Sequence, residues 1–264
     1  MNDSAFSLNY QYVDGNSEYY IYKHESKNRI FPFCVAVSVI EGEYFVDFED
    51  GKTVCVKPGE IIFVQSFIKH TVRMKEKGKL THAHFLCSYV TIDIFALANA
   101  DYFVIASKEI HNLLNHLVCS PYGNKIAQKL HTDKLLSELF LILFEKKVLI
   151  PQKLVIEPWL NGVLQYIHSN FLSGITVDEV IAVSGCSKTV FYQLFKSRMK
   201  LSPREYIESE RFKVASMLLL EGKKVKEVAE AIGFNDVSYF NKVFKRKYGI
   251  TPIEQKQKMN YSKG

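Results

Sequence analysis

Two stretches of this chain repeat one pattern, and that repeat constrains the fold more than any other feature. TVDEVIAVSGCSKTVFYQLFKSRMKLSP (residues 176–203) and KVKEVAEAIGFNDVSYFNKVFKRKYGITP (residues 224–252) align at an offset of 48 through Gly185 and Gly233, then at 49 from Phe191 and Phe240 to Pro203 and Pro252. The C-terminal part is therefore one supersecondary unit written twice. In the second copy Val225, Val228, Ala229 and Ile232 recur on one helical face, and Gly233 ends that helix because glycine accepts the left-handed backbone of a tight corner. Asn235 is positioned to cap a second helix through its side-chain oxygen. That helix buries Tyr239 or Phe240, with Val243, Phe244 and Tyr248, while Asp236, Val237, Ser238, Asn241, Lys242, Lys245 and Arg246 face away. A short helix, a glycine turn and a second helix with a basic outer face make a helix-turn-helix.

The first copy has its own punctuation. Thr176 and Glu179 form a capping box, and Ser187 caps the second helix. It departs from its partner where Ile181 replaces Ala229 and Ser184 replaces Ile232, so its two helices are expected to pack more widely. Phe191, Phe195, Phe240 and Phe244, at i and i+4 in each copy, read as core. Between the copies a helix opens at Ser202-Pro203 and runs to about Leu220. At ~1.5 Å per residue it is a rod of roughly 28 Å, enough to hold two reading helices about one DNA turn, ~34 Å, apart. On that geometry Thr189, Tyr192 and Gln193 in the first copy, and Val237, Ser238, Asn241 and Lys242 in the second, face base edges. Lys188, Lys196, Lys245 and Arg246 lie where phosphates run.

The run AIGFNDVSYFNKVFKRKYGITP resembles the C-terminal signature of the AraC/XylS family of bacterial transcription regulators. It matches from Ala231 through Gly233-Phe234, Asn235, Ser238-Tyr239-Phe240 and Phe244-Lys245 to Gly249 and Thr251-Pro252. The resemblance implies two helix-turn-helix units in successive major grooves, an N-terminal barrel that binds a small effector such as a sugar or another metabolite, and a dimerisation helix. Arg211 matches a position at which the family often carries arginine, and it is expected to tie the two halves together.

Residues 10–90 read as short strands rich in Val, Ile, Phe and Tyr between turn residues: YYIYKH, FCVAVSVIEG, EYFVDFED, KTVCVKPG, EIIFVQS, HTVRMKEK and LTHAHFLC. That spacing suggests a small sandwich or barrel. VKPGEIIFVQSFIKHTV resembles the second half of a cupin, with Pro58-Gly59 as the turn and His70 where a metal ligand often stands. No His-x-His with a following Glu precedes Pro58, so the usual cupin metal set is incomplete, and no metal or other cofactor is expected. His82 and His84, two apart, share a strand face. With Tyr20, Tyr22, His24, Arg29 and His70 they are the polar groups most suited to an effector pocket.

After Ser88 the pattern turns helical: residues 101–118, a break at Ser120-Pro121-Tyr122-Gly123, then residues 125–147. The second helix is greasy around most of its circumference from Leu135 to Phe144, and it reads either as sandwiched between barrel and neighbours or as a dimerisation helix. Residues 148–158, with Pro151 and Pro158, read as a linker, and a helix to Phe171 follows with Trp159, Val163, Tyr166 and Ile167 inward.

Charge is divided like the motifs. From Gln152 onward there are 18 Lys+Arg against 11 Asp+Glu, and before it 16 against 17, so the basic excess sits wholly in the repeat half, as a polyanion-binding module requires. The longest apolar run, Leu139 to Phe144, is far short of a membrane span, and MNDSAFSL lacks the regions of a signal peptide, so a cytoplasmic protein is expected. Five scattered cysteines without a Cys-x-x-Cys spacing read as reduced and mostly buried.

The chain thus reads as α+β in two domains. Residues 1–150 form a cupin-like β-barrel with following helices, for effector binding and dimerisation. Residues 151–264 form an all-α DNA-binding domain of two helix-turn-helix units joined by a linker helix. The function is sequence-specific regulation of transcription, as an activator and homodimer without catalytic residues, partnered by operator DNA, a small-molecule effector and RNA polymerase. Two other readings stand beside it: a cupin-type metal enzyme, and a DNA-binding protein that answers to no effector.

Overall fold

In the computed structural model, strand parity organises the first unit. Its strands are β1 (Leu8–Tyr20), β2 (His24–Arg29), β3 (Cys34–Glu41), β4 (Tyr44–Phe48), β5 (Thr53–Val56), β6 (Glu60–Val64), β7 (His70–Met74), β8 (Gly78–Tyr89), β9 (Ile92–Asp93) and β10 (Tyr102–Ala106). One sheet runs β1-β8-β3-β6-β10 with β9 on β8, and the other runs β2-β7-β4-β5. Successive side chains of β3, β6 and β8 alternate between two cores. Val35, Val37, Val39, Ile62, Val64 and Leu80 pack with Tyr44, Val46, Val72 and Met74 of the second sheet. Cys34, Ala36, Ile61, Phe63, Ala83 and Phe85 face helices. Strands covered on both faces read as unbroken apolar runs, which is why the central ones stand out in the sequence. The expected sandwich or cupin-like barrel takes the form of two facing sheets, and no strand pair joins them among the described residues.

The helices on the outer face are α1 (Ile94–Leu97), α2 (Lys108–Val118) and α3 (Lys125–Glu145). Residues 101–107 are not helical as expected. The β-branched and aromatic run Tyr102–Ala106 pairs with β6, and Ser107 caps α2 by accepting from the Ile110 N–H at 3.4 Å. Leu135, Leu136, Leu139, Phe140 and Leu143 of α3 are buried in this unit, whereas Leu141 keeps 58% of its surface exposed. Of the cysteines only Cys34 and Cys87 are buried; Cys55 and Cys186 are half-buried and Cys119 is exposed.

The second unit contains α4 (Pro158–Asn170), α5 (Val177–Ser184), α6 (Lys188–Met199), α7 (Pro203–Leu220), α8 (Val225–Ala231), α9 (Val237–Tyr248) and α10 (Pro252–Asn260). The repeat reaches the helix starts. The Thr176 and Ser202 hydroxyls accept from the Glu179 and Glu205 N–H groups, Glu227 accepts from the Lys224 N–H, and Glu254 accepts from the Thr251 N–H. Asp236, not Asn235, caps α9: its Oδ1 accepts from Ser238 N–H at 2.7 Å and Tyr239 N–H at 3.1 Å. In α4 the inward residues are Leu160, Val163, Leu164 and Ile167, with Trp159 and Tyr166 half-buried instead. Gly233, at φ +82°, closes α8 while the Phe234 N–H bonds the Ala229 carbonyl at 2.9 Å. The same corner in the first copy takes Ser184, whose hydroxyl donates to the Ile181 carbonyl and accepts from the Cys186 N–H. Ile181 is half-buried where Ala229 is fully buried.

The structure describes residues 8–20, 22–31, 33–89, 92–97, 101–119, 121–149, 157–199, 201–248 and 250–260. Most of the expected linker, together with Ser120 and Gly249, lies outside them. The two compact units are Met1–Leu154 and Val155–Gly264.

Candidate nucleic-acid interface and effector cluster

Helices α6 and α9 are fixed from below by aromatic packing. Phe191, Phe195, Phe240 and Phe244 have no exposed surface. Phe212, midway along α7, stacks on Phe240 at 5.9 Å and meets Phe244 at 5.7 Å and Tyr248 at 5.8 Å, so α9 is keyed to α7 by one ring cluster. Arg211 donates from Nε to the Phe171 carbonyl at 2.6 Å, joining α7 to the end of α4. Lys247 lies with Nζ 5.2 Å from the Phe212 ring, and burial pulls its pKa down to about 8. It belongs to the support of α9, not to its outer face.

On α6 all the expected residues, Lys188, Thr189, Tyr192, Gln193 and Lys196, are exposed. Lys188 pairs with Asp178 at 3.1 Å, an exposed contact of small energy that a phosphate can displace. On α9, Ser238, Lys242, Lys245 and Arg246 are exposed, but Val237 and Asn241 are half-buried at the inner edge. The Asn241 Oδ1 is buried without a hydrogen-bond partner among the described residues, so only part of that amide faces outward. Lys196, Lys242, Lys245 and Arg246 carry no ion pair among the described residues. Tyr239, expected as a core alternative to Phe240, is 52% exposed on the flank of α9. The repeat itself marks this, since Phe240 aligns with the buried Phe191 and leaves Tyr239 opposite the exposed Val190.

In the first unit the structure collects most of the expected polar groups between the sheets. His82 and His84 pair across from Val37 and Val35 on the inward face of β8, and His70 faces them from β7, pairing with Arg29 of β2. The His84 Nδ1 lies 2.5 Å from Asp14 Oδ1, its ring sits 4.8 Å from Phe33 and 5.2 Å from Phe31, and its Nε2 is buried with no partner among the described residues. The His82 ring is 5.0 Å from His84. Burial lowers the pKa of both His70 and His82 to about 4, so at neutral pH they offer neutral hydrogen-bonding groups rather than charges. Arg29 bonds the Tyr44 hydroxyl, and Tyr20 donates to Glu18 and lies 4.6 Å from His24. Tyr22, 81% exposed, is outside the cluster. Asp14 and Glu18 were missed, because the polar stretch VDGNSE of β1 reads as a turn. No group of three or more His, Cys, Asp or Glu among the described residues is arranged to hold a metal ion.

A helix-turn-helix domain family model matches residues 181–258. LumQ of Photobacterium leiognathi, named a probable transcriptional regulator, is 26% identical over 214 residues, covering 80% of this chain and 84% of that protein. The Msm operon regulatory protein of Streptococcus mutans is 33% identical over 96 residues, 36% of this chain, and the match spans only 34% of that protein. A solved structure of apo ToxT K231A from Vibrio cholerae shares the fold with a TM-score of 0.62 at 14% identity, covering 97% of this chain and 98% of that one. A second, described as unsaturated fatty acid bound wild-type ToxT, has a TM-score of 0.61 at 15% identity and covers 97% and 96%.

Proposed function

We infer the role of this protein from the family to which the chain belongs, the AraC/XylS transcription regulators: it is a DNA-binding regulator of transcription and not an enzyme. The observation that carries the mechanism is the pair of helices α6 and α9, each behind a helix and a turn, joined by the 18-residue α7. At ~1.5 Å per residue α7 is about 27 Å long, suited to two major-groove entries on one side of a duplex. Gln193, Thr189, Ser238 and Lys242 read base edges, with Tyr192 alongside and Val237 and Asn241 at the margin. Lys188, Lys196, Lys245 and Arg246 bind phosphate. Lys245→Ala is expected to weaken binding to every duplex and to flatten the slope of log affinity against log salt by about 1. Gln193→Ala keeps the slope and loses discrimination between preferred and altered sites by about 1–3 kcal/mol. Identical losses on all sequences for both variants would overturn the assignment.

Regulation is proposed to come from a small molecule at the inter-sheet cluster, a reading supported by the His84 Nε2, buried with no partner among the described residues, and by the fatty acid in a ToxT structure of the same fold. With Nδ1 engaged by Asp14, Nε2 is the ring nitrogen left for a hydrogen-bonding group of the ligand. His82, His70 and Arg29 are the neighbouring polar contacts, and His24 lies at the margin. His84→Gln is expected to leave DNA affinity near its starting value and to reduce the shift in that affinity caused by a ligand found by thermal-shift screening. An unchanged ligand response would place the effector elsewhere. The protein is further proposed to act in the cytoplasm as a homodimer and to meet RNA polymerase on DNA. The dimer surface would be the exposed line Ile126, Leu130 and Leu141 of α3. Among the described residues no helix is long and apolar enough to cross a membrane.

A further inference from the structure

A groove of about 650 Å³ lies between the two reading units, floored by one stripe of α7 and walled by the starts of α5 and α9. We propose that this groove takes the sugar-phosphate backbone between the two major grooves, with Arg204 as a phosphate-positioning residue; the proposal rests on the duplex-binding reading above. Arg204, Glu208 and Arg211 lie along the floor, and Asp236 and Tyr239 form the α9 wall. The charges of this groove are matched except at one place. Asp236 is engaged by the Ser238 and Tyr239 N–H groups. Glu208 acts electrostatically on Arg211 and Lys247, and Arg211 is held by the Phe171 carbonyl. Arg204 is exposed and has no ion pair or hydrogen bond among the described residues. It stands in the first turn of α7, where the helix dipole disfavours a cation, so helix stability does not account for it.

The groove opens beside the N-terminal end of α9, the end of a reading helix that meets base edges. A duplex that receives α6 and α9 in successive major grooves carries its intervening backbone past the space between the units. Arg204 and the exposed Tyr239 then face a phosphate, which gives Arg204 the anionic partner it lacks among the described residues.

The test is a salt titration of the full chain on a duplex selected by the protein from a random library, and on a mixed-sequence duplex. Arg204→Gln is expected to lower affinity several-fold on both, to reduce the salt slope by about 1 and to abolish interference from ethylating one phosphate between the two protected grooves. Arg204→Lys retains most of the slope, which separates charge from folding. An unchanged slope in R204Q, while K245A loses about 1, overturns the groove and leaves the duplex-binding reading intact. Unchanged slopes in both overturn that reading too. If millimolar inorganic phosphate alone raises the melting temperature of the wild-type protein but not of R204Q, with the slope unaltered, the groove is a free-anion site and the proposal fails.

Discussion

Phe212→Ala is expected to destabilise the second unit by about 3–5 kcal/mol, the usual cost of emptying a buried ring site. Phe212 has no exposed surface, and four rings, Phe234, Phe240, Phe244 and Tyr248, surround it at 5.7–5.9 Å. No neighbour is free to collapse into the space, since Phe240 and Phe244 are themselves held in α9 against α7. A loss of that size is a large share of the roughly 5–15 kcal/mol typical of a whole domain. Denaturant unfolding followed by circular dichroism should show the second unit melting early, with DNA binding lost as α9 detaches. Tyr239→Ala, on the exposed flank, should change stability by no more than about 0.5 kcal/mol. A Phe212→Ala protein within about 1 kcal/mol of the original would show that α9 is held by something other than this cluster.

The second large effect separates two readings of one helix. Leu139 is fully buried in the core of the first unit, so Leu139→Glu places a carboxylate among apolar side chains and should cost about 4–5 kcal/mol, enough to unfold that unit. Leu141, two residues on and 58% exposed, should accept glutamate with little change in melting temperature. If the line Ile126, Leu130 and Leu141 covers a second copy, Leu141→Glu lowers the sedimentation mass from dimer to monomer. A wild-type chain that stays monomeric at every accessible concentration would remove the dimer, and an unchanged mass in Leu141→Glu would move it to another surface.

What could be read from the residues follows from how local each signal is. The helix-turn-helix pair was legible because glycine at the corner, capping pairs and phenylalanines at i and i+4 act within a few residues, and the repeat states each of them twice. Tertiary contacts hid the rest. β1 pairs along most of β8, yet its Asp14-Gly15-Asn16 looks like a turn. Gly15 is needed there because a Cβ would come within 2.7 Å of Val118 Cγ1 and 2.5 Å of the His82 carbonyl, so α2 could not lie so close to the strand. β10 reads as helix in the sequence because its apolar residues run into those of α2, and only pairing with β6 separates them. The cap of α9 moved by one residue, a choice between adjacent Asn235 and Asp236 that composition cannot make. Of the residues proposed to bind an effector, parity places His82 and His84 on one face, but the acidic partner of His84 comes from a strand that sequence pattern does not detect.

The central claim is that α6 and α9 enter successive major grooves of one duplex. Hydroxyl-radical footprinting of the full chain on a duplex selected by the protein tests it most directly. Two protected patches about 10 base pairs apart on one side of the helix are predicted, the nearer to α9 lost in a Lys242→Ala, Lys245→Ala protein and the other retained. A single patch, or two patches that disappear together in the stably folded double variant, would contradict it.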